Sequence, residues 1–279
     1  MKHLFFLTLC LITASTYSQD NPQSLFWNNY SITNPAATGL FSKHYASITA
    51  RDQWIKFDYN PITINSIYDF QISKNQSIGT NYQFDKIGFF KTNTLNLNYA
   101  YRFQFSEKTI VSLGTSVNYK QLRLDPIWTT PDGTSLVNNP SIPAYYNREY
   151  FDVNVGAMVK TDKILFGISY INGFNKFNSH KIFTTFSYLM SINENFKLKP
   201  NFQLRLATDI PYFIADVNVT ATIKKIFDFG LSYRSNNWIG VNAGFNFKEK
   251  FSICYAFDYI PEYPPLGTTH ELGLVMKLN

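Results

Sequence analysis

Cysteine is nearly missing: the chain has 2 among 279 residues, and Cys10 falls in the apolar leader. Cys254 alone cannot form an intramolecular disulfide, which excludes the disulfide-stapled class of exported domains. Charged residues are scarce at 16%, and the net +6 is spread along the chain without a basic cluster. That argues against a nucleic-acid partner. Long apolar runs are absent after the leader, so no segment approaches the roughly 20 residues a membrane-spanning helix needs. The mean hydropathy of −0.17 is likewise too low for a helical membrane protein.

Catalytic and metal-binding patterns are missing too. Beyond the leader the histidines are His44, His180 and His270. None has metal-ligand spacing to Cys, Asp or Glu, and the adjacent His270 and Glu271 point to opposite faces if they lie on a strand. No G-x-S-x-G elbow, H-E-x-x-H helix or phosphate-binding glycine loop occurs. His180 beside Ser179 is the one Ser–His pair a surface esterase could use, and sequence adjacency alone does not build a dyad. The chain is therefore expected to be non-enzymatic, with no cofactor, no metal and no evident small-molecule substrate.

What the sequence does contain is aromatic residues, 26 Phe and 19 Tyr, arranged with a period of two. In "NTLNLNYAYRFQF", residues 93–105, Leu95, Leu97, Tyr99, Tyr101, Phe103 and Phe105 alternate with Asn96, Asn98, Ala100, Arg102 and Gln104. Such alternation predicts a strand with one apolar and one polar face. Similar segments recur from 44–54 to 270–278, giving about 14 strands, many near the ~9–11 residues a tilted strand needs to cross a bilayer. From the second segment on, charge keeps to the polar face, as lipid on the other face would require. A soluble sandwich also keeps charge off its inner face. The aromatic strand ends and the Asn, Gln, Ser, Thr and Gly of the polar faces favour a barrel with apolar residues outward. The fold class expected is an all-β, antiparallel transmembrane β-barrel of the outer-membrane type. Basic and acidic residues on the polar faces are nearly balanced, which predicts internal ion pairing and a closed lumen.

The opening MKHLFFLTLCLITASTYSQD has a basic start, a compact apolar run and small residues before Gln19. It reads as a secretory signal peptide over 1–18. Residues 19–43 form a pre-barrel segment, either a periplasmic contact or a plug, and 44–279 form the barrel. Tight connections such as 106–108, 161–163, 193–195 and 248–250 alternate with long ones at 125–149, 172–180 and 261–269. In outer-membrane barrels the short turns are periplasmic and the long loops external.

Residues 19–72 carry more than alternation. The turn Asn34-Pro35-Ala36-Ala37 closing on Gly39, then Arg51-x-Gln53-Trp54, then Pro61 opening a strand, resemble the PorP/SprF family of type IX secretion outer-membrane proteins of Bacteroidetes. His270 and Glu271 resemble the start of the family's last strand. The resemblance implies a barrel in outer-membrane lipid that works with type IX components in secreting or attaching a surface protein, such as a gliding adhesin. A passive porin or small-solute channel is the alternative. Residue by residue, Asn34, Pro35 and Gly39 make a turn, Arg51 is expected in a lumen salt bridge, and Trp54 reads as an interface anchor. The chain ends in Lys277-Leu278-Asn279 rather than in a terminal aromatic residue.

Overall fold

Alternation of the kind seen in residues 93–105 is carried through the whole second half of the chain, and the backbone follows it. In a computed structural model, which describes residues 23–124, 147–173, 180–208 and 212–279, the strands are β1 (His44–Asp52), β2 (Ile62–Gln71), β3 (Gln76–Ile87), β4 (Phe90–Ser106), β5 (Thr109–Leu124), β6 (Asn147–Lys160) and β7 (Ile164–Ile171). They continue as β8 (Lys181–Tyr188), β9 (Met190–Ser191), β10 (Phe196–Ala207), β11 (Tyr212–Ile223), β12 (Phe227–Arg234), β13 (Trp238–Phe247), β14 (Phe251–Tyr259) and β15 (Thr269–Leu278). The leader, most of the 125–149 connection and Ser179 lie outside the described residues.

Each strand pairs antiparallel with the next, and β15 returns to β1 in continuous register from His44↔Leu278 to Asp52↔His270. β9 continues β8 past Leu189 on the same neighbour, β10. The segments therefore form a closed 14-strand antiparallel barrel. Closure satisfies the backbone of every strand and leaves no edge, as a bilayer interior requires.

Hairpin geometry shows in the short turns. Lys224 and Lys225 have φ of 51° and 59°, and Lys248 and Glu249 have 52° and 57°. Positive φ at successive positions gives the turn twist that matches two antiparallel strands. Gly88, at φ 60°, lets β3 fold directly into β4.

The faces sort as expected. On the outside, Leu97 is 60% and Leu231 69% exposed, and they belong to a continuous band of bare Leu, Ile, Val and Phe. A band of that extent is incompatible with water. On the inside, Asn96, Asn98, Asn118 and Asn154 are buried, and Asn96 accepts from Asn118 at 2.7 Å and from Asn154 at 3.3 Å, while Asn154 also donates to Ser116 at 2.9 Å. Outward aromatic pairs rim both ends, with ring centroids of Tyr101 and Phe103 4.8 Å apart at the tight-turn end and of Tyr119 and Phe151 5.1 Å apart towards the other. No helix among the described residues is long and apolar enough to cross a membrane.

Strand bounds differ from the expected ones where alternation fades. The strand expected over 94–105 runs from Phe90 to Ser106, and the one expected over 151–160 begins at Asn147. The added residues Lys91, Thr92 and Asn93 are polar on both faces, which suits a ladder that has risen out of lipid into water. The first strand stops at Asp52 rather than at Trp54, whose φ of 60° ends the extended run.

Candidate functional site: a lumen filled by its own chain

Residues 23–43 lie inside the barrel and descend from the long-loop end to the tight-turn end. Of the two expectations for 19–43, the described part takes the plug. It is built from three short helical turns, Phe26–Asn28, Tyr30–Thr33 and Pro35–Ala37.

The Asn34–Gly39 motif is the centre of the plug. The Asn34 carboxamide accepts from the Ala36 N–H at 3.0 Å, capping the turn that Pro35 opens. Its Nδ2 donates to the carbonyls of Ala157 and Ile168 at 3.1 and 3.2 Å, which ties the turn to β6 and β7. Ala36 and Ala37 are sealed against the wall. The wall answers with glycine: a Cβ on Gly114 would collide with the Pro35–Ala36 backbone, and one on Gly156 with the Asn34 side chain. Gly39, at φ 65°, turns the chain towards β1, and a Cβ there would strike Ser77. The Gly39 carbonyl accepts from Arg102 and from Gln71, each at 2.7 Å. Ala36, Ala37 and Met158 form an apolar cluster with Phe26, Tyr30, Leu40 and Leu165 inside the otherwise polar lumen. Enclosure there pushes the Tyr30 phenol well above the ordinary tyrosine range.

At the long-loop end the plug is held by charge. Arg51 Nη1 lies 3.1 Å from Asp258 and 3.1 Å from Glu271, all three buried. The N–H groups of Ser24 and Leu25 donate to Glu271 at 2.7 and 3.3 Å. The Ser24 hydroxyl sits between Asp258 and Arg51, bonded to both. A second cluster joins Asp216 to Arg205 at 2.7 Å and to Arg234. Arg234 also donates to the Gln23 carbonyl at 3.2 Å. The Trp238 ring links the clusters, with the Arg51 and Arg234 guanidinium carbons 5.4 and 5.0 Å from its centroid.

The residues singled out in sequence divide accordingly. Asn34, Pro35, Ala36, Ala37 and Gly39 meet in the plug, while Arg51 and Glu271 meet in the salt bridge. Gln53 donates its N–H to the Pro61 carbonyl at 2.9 Å, closing the loop before β2. Trp54, expected as an interface anchor, instead lies 6.3 Å, centroid to centroid, from the inward Trp238. His270 faces outward, bonded to the Tyr255 hydroxyl at 2.6 Å, on the opposite side of the strand from Glu271. Sequence reasoning did not single out Ser24, Asp258, Asp216 or Trp238. Asp216 and Asp258 carried a polar-face signal but nothing to mark them as partners of arginine.

The plug leans on β3–β7 and leaves a gap of about 400 Å3 on the opposite side of the lumen. Leu25, Trp27, Tyr30, Phe41 and Tyr45 border it, with Lys197 and Lys199 on β10 and Lys277 beside Tyr45 on β15. The two arginine–carboxylate clusters lie near the long loops, whereas Lys160, Lys197, Lys199 and Lys277 lie nearer the tight turns.

A family model described as "Type IX secretion system membrane protein PorP/SprF" matches residues 15–276. No curated protein matches the chain. Solved structures similar in fold include the Ralstonia pickettii toluene transporter TbuX, with TM-score 0.51 and 9% identity over 89% of this chain and 93% of that one. The Acinetobacter baumannii outer membrane protein Omp33 superposes with TM-score 0.52 and 9% identity, covering 86% of this chain and 100% of that one. A Pseudomonas aeruginosa FadL homologue gives 0.53 and 9% over 90% and 94%.

Proposed function

The chain belongs to the PorP/SprF family of type IX secretion system membrane proteins, and from that premise we propose that it is a non-enzymatic outer-membrane scaffold that supports secretion or surface attachment of a partner protein rather than a conduit for solutes. The observation that carries this reading is the plug: residues 23–43 fill the lumen and are bonded to it at both ends, by Glu271 and Arg234 near the long loops and by Arg102 and Lys160 near the tight turns. A lumen occupied by its own chain leaves the loops and turns as the surfaces for recognition. The tight turns face the periplasm on this reading, and the long loops face outside. Type IX components and a large surface protein, such as a gliding adhesin, are the partners expected of the family.

The test is to purify the tagged protein from native outer membranes and identify companions by mass spectrometry, with planar-bilayer recordings of the same sample. Co-purifying secretion components or a large surface protein, with little conductance, is the expected result. A solitary barrel carrying large, steady single-channel currents would replace the scaffold with a porin.

A further inference from the structure

The gap beside the plug has the chemistry of a binding site. Its volume of about 400 Å3 is within the roughly 300–1,000 Å3 of small-molecule sites. Lys197 and Lys199 project into it from β10 and Lys277 from β15. Among the described residues none of these three ammonium groups donates to a protein oxygen, whereas Lys160 donates to the Leu40 carbonyl at 3.0 Å.

Among the acids lining the gap, Asp228 offsets only part of this charge. Asp228 accepts from Thr222 at 2.6 Å and from Asn246 at 2.7 Å, so hydrogen bonds already hold its carboxylate. Glu249, on the rim, is paired with Lys225 at 3.1 Å. With Lys197 and Lys199 half-buried and Lys277 exposed at the opening, the ammonium groups outnumber the carboxylates lining the gap, and an anion there is electrostatically favoured. Part of the lining is apolar and aromatic, with Trp27, Phe41 and Tyr45 packed as part of the plug and the first strand.

We propose that this cavity binds a small organic carboxylate with an apolar body. The carboxylate takes charge-assisted hydrogen bonds from Lys199 and Lys277, with Lys197 nearer the tight-turn rim, and the body lies against Trp27 and Tyr45. The ligand enters between the tight turns, since the plug closes the other approach. The site does not rest on the secretion role, because a plugged barrel without partners would bind the same ligand.

Trp27 supplies the readout. The full mature chain in detergent is titrated with 3-(4-nitrophenyl)propionate, a nitroaromatic quencher of tryptophan, and with the uncharged 3-(4-nitrophenyl)propan-1-ol. The expected result is saturable quenching by the carboxylate that is lost in Trp27→Phe and needs about tenfold more ligand in Lys199→Met or Lys277→Met. The alcohol should quench only weakly and without saturation. Equal quenching by acid and alcohol, or full affinity in the lysine variants, overturns the proposal. Folding of each variant is checked by heat-dependent migration on gels. If Lys199→Met does not fold, the exposed Lys277→Met supplies the comparison, and full affinity there overturns the proposal.

Discussion

Arg51 and its two carboxylates show how much of the lumen is decided by single residues. Asp258 and Glu271 lie 207 and 220 positions away in sequence, and only barrel closure through β15 and β1 brings them together. Removing the arginine leaves two buried carboxylates without their cation, and breaking a buried pair from one side costs about 3–5 kcal/mol. Arg51→Leu should therefore lower the unfolding free energy obtained from urea titration by an amount of that order. Glu271→Leu in the same background should restore part of the loss, because one orphaned charge goes with it. Full additivity of the two substitutions in a double-mutant cycle would show that the pair does not interact. From sequence, a lumen salt bridge was the role expected of Arg51, a charge in a barrel strand without a readable partner. Its partners were not legible, since nothing in a linear chain says which polar-face acid of a distant strand lands opposite.

At the level of elements, the plug and the wall are matched by side-chain size. Gly114, Gly156 and Gly167 of β5–β7 stand where the Asn34–Ala36 turn presses in. The strands were legible because lipid outside and polar groups inside impose a strict period of two. The plug was not, because its short turns have no period and bury residues as different as Asn34, Ala36 and Leu40. Its turn chemistry, with Asn capping, Pro opening and Gly reversing, was readable, while the surface it packs on was not. Trp54 was misread for a related reason: the first strand ends two residues early, and the ring turns to Trp238 instead of the interface. The barrel ladder is closed without any contribution from the plug. A variant lacking residues 23–41 should still assemble and should show single-channel currents in planar bilayers that the full chain lacks. Equal, low conductance from both would mean that some other part of the chain blocks the lumen.

For the whole molecule, the two ends differ in height as well as in loop length. β4 and β5 have 17 and 16 residues, and a strand that long, tilted as barrel strands are, rises roughly 40 Å along the membrane normal. The apolar band of such barrels is about 25 Å tall, so these strands project beyond lipid on one side. They do so at the long-loop end, where Lys86, Lys91 and Gln121 stand on the outward face without entering the apolar band. The strands opposite, β12 to β14, have 8 to 10 residues and stop near the band's edge. A barrel with one raised wall and long loops on the same side presents that side as its recognition surface, and the trimmed side as its periplasmic floor. Single cysteines placed in a Cys254→Ser background, at Glu262 in the long loop and at Glu194 in a tight turn, separate the two orientations. A membrane-impermeant maleimide added to intact cells should label Glu262→Cys at once, and Glu194→Cys only after the outer membrane is opened. The reverse pattern would place the raised wall, and any partner it recruits, in the periplasm, and would turn the lysine-lined cavity towards the cell exterior.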